Sequence, residues 1–268
     1  MGLEPLEDEL GFGDFFKEPE GFFPPPKPPT FSEHRMLCGN TLNIRLVGSH
    51  PLYGYLLWNA ARTISNFLEE NASEWVEGKD ILELGAGAGL PSIICAIMGA
   101  KTAVVTDYPD WDLVDNMQIN ASACEKFIKK QPSPLYVEGY KWGDSTDRIC
   151  SFLDLPSAGF DVLILADVIY NHPQHHSLIE SVKMTLKRSK TSVAFVVFTP
   201  YQPWLLEKIA AFFPKAEQSG FKVNKIFEKV MDKLLFEDDP GDELLRRTVF
   251  GYELRWKEEE LDGQIPRC

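Results

Sequence analysis

Between residues 80 and 92 the chain reads DILELGAGAGLPS, a stretch whose residue types can hold a nucleoside. A short apolar strand runs through Glu83 into glycines at alternate positions, Gly85, Gly87 and Gly89, with Ala86 between the first two, and Pro91 then opens a helix. Glycine permits the tight strand-to-helix turn and lets a ligand approach the backbone, although such turns also arise for backbone reasons alone. A second strand completes the pattern. AKTAVVTD at 100–107 ends in Asp107, about 20 positions beyond the turn, where a carboxylate can take both ribose hydroxyls.

The glycine spacing discriminates between cofactors. A dinucleotide requires G-x-G-x-x-G so that its pyrophosphate can reach the helix N-terminus. Here the spacing is G-x-G-x-G and Glu83 stands just ahead of it. A carboxylate there repels a pyrophosphate but can order donors around the ammonium and carboxylate at the methionine end of S-adenosylmethionine. The sulfonium cofactor is therefore favoured over NAD.

Two further clusters fall at predicted strand ends. EGYKWGD places Trp142 where its indole can cover an adenine or pack as a rim tryptophan. LILADVIYNHP at 163–173 offers Ala166, small enough for a ring to lie flat, and then crowds Asp167, Tyr170, Asn171 and His172 together. Structure alone does not demand so many polar groups there, so this is the expected acceptor site. His172, His175 and His176 lack a cysteine partner and suit a polar cap on the next helix; no metal is expected.

The elements that must position these residues alternate. Strands are predicted near 80–85, 101–107, 134–139, 160–166 and 191–199, and helices near 91–99, 111–129, 174–188 and 203–213. Two further strands near 222–235 and 247–256 follow, with no helix pattern between them and EDDPGDE as their loop. This predicts an α/β, Rossmann-like sheet of seven strands, mostly parallel with an antiparallel last strand and helices on both faces. Upstream, TLNIRLVG at 41–48 alternates as a strand or as half of a hairpin, and LYGYLLWNAARTISNFLEEN carries an apolar stripe at helical spacing from Leu52. Residues 1–30 form a Pro-rich acidic tail, 31–75 an N-terminal strand and helix over the cofactor site, 76–257 the catalytic domain and 258–268 a C-terminal tail.

Composition bounds the function. The 268 residues, 44% hydrophobic, suffice for one substantial core. The acidic N-terminus and the lack of a long apolar run predict a cytoplasmic protein without a membrane segment. Five scattered cysteines suggest reduced thiols, with Cys95 and Cys124 on helices. A formal net charge of -13 disfavours direct nucleic-acid binding and suits a basic partner, though it also serves solubility.

The blocks IRLVGSHPLYGYLLWNA, LELGAGAGLPSIICAIMGA, VVTDYPD, Y-x-WG and ADVIYNHPQH together resemble the seven-strand S-adenosylmethionine-dependent methyltransferases of the lysine methyltransferase family 16 group. The likeness runs from about Phe22 through the final strand. It implies cofactor contacts from Trp58, the Gly85 to Gly87 turn, Asp107, Trp142 and Ala166, and it places Asp167 and Tyr170 on a D-x-x-Y motif at the acceptor rim. It further implies a monomeric enzyme acting on elongation factor 1-alpha at the N-terminal glycine and adjacent lysine. Two other readings remain open here: methylation of a small pyridine such as nicotinamide, and a cofactor-binding protein without catalysis.

Overall fold

The computed structural model describes residues 27–129 and 134–261; the expectations for the tail before residue 27 and for residues 262–268 lie outside the described residues. A two-stranded antiparallel hairpin, β1 (Thr30–Arg35) and β2 (Thr41–Leu46), comes first. Helices α1 (Asn59–Glu70) and α2 (Ala72–Trp75) follow. The alternating part then runs β3 (Asp80–Leu84), α3 (Leu90–Ile97), β4 (Thr102–Asp107), α4 (Trp111–Cys124), β5 (Leu135–Gly139), α5 (Asp147–Cys150), β6 (Val162–Ala166), α6 (His175–Thr185) and β7 (Val193–Phe198). Short helices α7 (Leu206–Ala210) and α8 (Phe212–Gln218) lead to β8 (Phe221–Val230), α9 (Glu243–Arg246), β9 (Thr248–Trp256) and α10 (Glu258–Leu261).

The seven later strands form one sheet in the order β5-β4-β3-β6-β7-β9-β8. Pairings from β5 to β7 are parallel, and β9 inserts antiparallel to both β7 and β8. Alternate side chains of each strand serve opposite faces. Ile81, Ala103, Ile164 and Phe195 meet Ala60, Ile64 and Leu68 of α1 and Cys95 of α3. Leu82, Val104, Leu163 and Val196 meet Leu178, Ile179 and Val182 of α6 and Phe212 of α8. The predicted architecture is the observed one, with helices on both faces.

Four local expectations need correction. The first long helix starts at Asn59 and not at Leu52: Tyr53 has φ 62° and Trp58 is extended, so 52–58 is a run of turns despite its apolar periodicity. The stretch at 41–48 is half of a hairpin, and the periodicity did not locate its partner strand, Thr30–Arg35. The helix expected over 203–213 is broken, because Pro214 has no N–H to bond Ala210 and the chain restarts as α8. A one-turn helix, α9, stands between β8 and β9, capped by Asp242 accepting from the Leu245 N–H at 2.8 Å.

The hairpin is fastened by polar side chains. Glu69 on α1 accepts from the Leu37 N–H and the Cys38 N–H, each at 2.9 Å, which closes the β1–β2 turn. Asn120 on α4 accepts from the Arg45 N–H and donates to the Arg45 carbonyl, both at 2.8 Å, and also donates to the Ala88 carbonyl beside the glycine turn at 3.0 Å. Replacing Glu69→Ala is expected to cost about 1.5–3 kcal/mol, the range for hydrogen bonds to a charged group. Denaturant unfolding checks the stability, and hydrogen exchange should speed up at the Leu37 and Cys38 amides.

Candidate functional site

One cavity of about 480 Å³ lies beyond the carboxyl ends of β3, β4, β5 and β6. Strand β3 has β4 on one side and β6 on the other, so the chain reverses its winding there, and ligands of open α/β sheets bind at such a point. The structure brings Trp58, Glu83, Gly85, Ala86, Gly87, Asp107, Trp142, Ala166, Asp167 and Tyr170 to the wall of this single cavity.

The glycine turn is built by backbone bonds. The Gly85 and Ala86 N–H groups both donate to the Thr106 carbonyl at 2.9 Å, tying the turn to β4. Gly85 and Gly87 take φ 75° and 57°, the left-handed region that favours glycine. A Cβ at Gly85 would lie 2.7 Å from Val168 Cγ1 and 3.0 Å from Trp142 Cζ2, whereas one at Gly87 would meet nothing within 4 Å. The turn is therefore packed from behind at Gly85 and open at Gly87. Asp107 is buried beside it and accepts from the Gly87 N–H and the Tyr108 N–H, each at 2.6 Å. Burial raises its carboxyl above the usual range, and those two N–H groups oppose the rise. Each carboxylate oxygen keeps a second lone pair, so two ribose hydroxyls can still be accepted.

Glu83 is 1% exposed and shares the β3 face of Ile81. Its Oε2 accepts both the Ser92 N–H at 2.9 Å and the Ser92 hydroxyl at 2.5 Å, which anchors the first turn of α3. Burial pushes the carboxyl up to about 8, with Ser92 pulling the other way. Glu83 thus holds the helix start behind the turn as well as lining the cavity. Trp142 packs on the core and also lines the cavity, so rim packing does not remove its indole from the cavity wall.

On the opposite wall, Ala166 ends β6 and Asp167 follows with φ 52°. Asp167 Oδ1 accepts from the Thr199 N–H at 2.8 Å and Oδ2 from the Ala60 N–H at 3.2 Å. The Tyr201 hydroxyl also donates to it and accepts from the Asn59 N–H at 3.3 Å. Helix α1 has no local side-chain cap, so Asp167 and Tyr201 cap it from across the sheet. Burial raises the Asp167 carboxyl to about 7, against the stabilising N–H groups. Tyr170 is 40% exposed at its rim, and burial of the remainder followed by the Asp107 charge raises its phenol to about 12. It is a neutral phenol near pH 7.

Trp58 donates from Nε1 to the Tyr53 carbonyl at 3.2 Å, and its ring meets Tyr201 at 5.1 Å and Phe236 at 5.9 Å between centroids. Tyr201 and Phe236 carry no mark in the sequence, since each sits in an irregular segment. The histidines have structural duties: His175 is buried with Nε2 against the Ile169 carbonyl at 2.7 Å, and the half-buried His172 has Nδ1 3.2 Å from the Tyr170 carbonyl. No group of three metal-ligating side chains occurs among the described residues.

The residue set fits S-adenosylmethionine: a carboxylate beside an open glycine turn for a ribose, an indole beside it, and buried carboxylates that favour a cation. Two outcomes follow. Asp107→Ala should weaken cofactor binding by about 1.5–3 kcal/mol, read by titration calorimetry; unchanged affinity removes Asp107 from the site. Glu83 has a folded-state pKa above its unfolded one, so its contribution to stability is full below about pH 4.5 and is lost as pH rises through about 8. A glutamine oxygen can accept both Ser92 bonds but does not titrate. The melting temperature of Glu83→Gln should therefore gain on that of the native chain as pH rises from 5 to 9, by about 2–4 °C for each kcal/mol.

Residues 39–203 match the protein family described as lysine methyltransferase. The chain is 61% identical to the protein N-terminal and lysine N-methyltransferase of Aspergillus fumigatus, over 96% of its own length and 98% of that protein. It is 58% identical to the protein of the same name from Emericella nidulans, covering 95% and 99% of the two chains. With the Schizosaccharomyces pombe protein of that name it shares 40% identity over 92% and 96%. A solved protein of Pyrococcus horikoshii OT3 shares the fold, with a TM-score of 0.50, 14% identity, and 78% and 96% of the two chains covered. The chain belongs to the lysine methyltransferase family, as an S-adenosylmethionine-dependent enzyme that methylates protein.

Proposed function

We propose that the enzyme methylates the N-terminal glycine amine and the adjacent lysine of elongation factor 1-alpha, working in the cytoplasm as a monomer. The observation that carries a protein acceptor is the openness of the acceptor wall: Tyr53 and Tyr170 are 45% and 40% exposed, so a chain end can reach in from solvent. A small pyridine would be better served by a closed site. The activity named for the relatives supports the N-terminal and lysine positions, the net charge of -13 suits a basic substrate, and the choice of elongation factor rests on the sequence resemblance. No helix among the described residues is long and apolar enough to cross a membrane.

The bound cofactor supplies an electrophilic methyl group, and the chain's own residues do the rest. The cavity must place an amine nitrogen in line with the methyl and exclude water; orientation of this kind supplies roughly 7–11 kcal/mol. The amine must be neutral. Asp167, with its carboxyl near 7, can attract the incoming ammonium and take its proton. A free α-amine has a reference pKa of about 7.7–8.0 and a lysine about 10.4, so deprotonating the lysine costs about 3.5 kcal/mol more. The N-terminal nitrogen is accordingly the easier acceptor. Tyr170, held neutral, orients the nitrogen without serving as the base.

Tyr170→Phe should keep cofactor affinity and lose at least tenfold in turnover on a substrate with a free N-terminus. Asp167→Asn loses one accepting oxygen at the Ala60 and Thr199 amides, so it should melt lower than the native chain and, below that temperature, turn over about 10²-fold more slowly. Mass spectrometry of the substrate's first tryptic peptide reads both. Blocking the terminus by acetylation should abolish methylation there. Methylation confined to internal lysines, or efficient turnover of free nicotinamide, defeats the proposal.

A further inference from the structure

Large apolar side chains gather where the cavity opens to solvent. Leu52 and Tyr108 line the cavity and are exposed, and Trp111, next to the cavity-lining Asp110, is 76% exposed. Trp111 is no part of the core. It opens α4, whose packed face runs from Leu113 through Met117 to Cys124, and among the described residues no ring packs on its indole. Single exposed apolar residues are ordinary, whereas a connected group at a cavity mouth marks a binding surface. This group is connected and held in place. The Tyr140 N–H donates to the Asp107 carbonyl at 2.7 Å, Pro109 sits so close to β5 that a Cβ at Gly139 would lie 3.0 Å from its Cα, and Asp110 caps α4 by accepting from the Asp112 N–H at 3.2 Å. Residues 50–54 lean on this ledge: His50 Nε2 lies 3.4 Å from Asp110 Oδ2, and a Cβ at Gly54 would come within 2.6 Å of Leu113 Cδ2. Tyr53 in that segment meets Tyr170 edge-to-face at 5.7 Å. An apolar band therefore leads from the acceptor wall across residues 50–54 to Trp111.

Charge identifies the occupant. Asp110, Asp112 and Asp115 flank the indole, and residues 102–125 contain no Lys or Arg. Among the described residues no cation pairs with Asp112 or Asp115, and the Arg45 guanidinium that reaches α4 donates to Asn116 at 2.8 Å. A Lys or Arg brought here meets the carboxylates while its charge lies over an aromatic face. We propose that Tyr108 and Trp111 form a docking surface for the basic segment that follows the methylated terminus of the protein substrate, a segment laid from the acceptor wall across residues 50–54; this rests on the protein acceptor proposed above. The band is continuous with the cavity that receives the substrate's end. A second copy of this chain, with a formal net charge of -13, would bring like charge to the same acids. Recognition is thus divided: Asp167 and Tyr170 meet the terminus, and the ledge meets residues further along. Contacts so far from the reacting nitrogen are the same before and during transfer, so their loss raises KM and leaves kcat.

An extended chain advances about 3.3–3.6 Å per residue, so a tripeptide reaches about 10 Å from the acceptor wall and a peptide of about 15 residues overruns the ledge. The test uses the full chain with S-adenosylmethionine and three peptides sharing a free Gly-Lys terminus: the tripeptide, a long peptide continued by lysines and glycines, and a long peptide continued by serines and glycines. Trp111→Ala should raise KM for the lysine-rich peptide about 5- to 30-fold, the range for truncating an interface anchor, with kcat held. Asp112→Lys should also raise that KM. The tripeptide should not distinguish either variant from the native chain, and Trp111→Ala should melt with the native chain because the indole is exposed. An unchanged KM for the lysine-rich peptide in Trp111→Ala overturns the ledge, and so does an equal loss on the tripeptide. A second measurement needs no turnover: calorimetry with S-adenosylhomocysteine present compares the two long peptides. The native chain should bind the lysine-rich one more tightly, the more so at low salt, and Trp111→Ala should lose that preference; equal affinities in the native chain overturn the ledge. If the preference is present but no peptide is methylated, the acceptor assignment fails and the ledge stands. A dimer seen by sedimentation of the native chain and lost in Trp111→Ala would show that a second copy covers the ledge, which also overturns the proposal.

Discussion

The carboxylate of Asp167 joins the pieces from which the acceptor wall is made. It follows β6, takes the main-chain N–H of Ala60 at the start of α1, takes that of Thr199 just after β7, and receives the Tyr201 hydroxyl. Helix α1 carries no cap of its own, so its N-terminus is held where this carboxylate holds it. The preceding residues 52–58 must then bridge from the hairpin to that fixed point, which is why an apolar stretch that reads as helix is spent on turns around the cavity. A buried charge with three donors is worth more as a constraint than as a contribution to stability, because burial pushes it toward neutrality. One residue therefore sets both the frame of the site and its local charge.

How much of this was legible follows from how each feature is encoded. The strands of the sheet are short apolar runs with regular spacing, and their burial requires that pattern. The glycine turn and Asp107 were readable because backbone geometry and ribose chemistry restrict residue type at both ends of a fixed interval. Tyr201 carries no such mark. It is one aromatic after a strand, and its role appears only when β7 brings it beside α1. Phe236 likewise reaches Trp58 through a loop whose acidic composition suggested only a hairpin connection. Strand β1 was hidden by the proline-rich approach to it, and its partner is fastened by Asn120, a side chain 75 residues away from Arg45. The role foreseen for Asp167, holding the substrate ammonium, omitted its structural bonds for the same reason: long-range hydrogen bonds leave no local pattern.

Three carboxylates that line the cavity share a consequence. Glu83, Asp107 and Asp167 are all raised by burial, so each disfavours its own negative charge. A cation placed in the same low-dielectric space opposes that shift, and by linkage the tendency to lose a proton and the affinity for a cation rise together. S-adenosylmethionine and an ammonium substrate both bring positive charge; the ammonium gives up a proton before attack and the transfer then moves the sulfonium charge onto the nitrogen, so the spent cofactor carries none of it. The carboxylates thus attract the reactants more strongly than the spent cofactor.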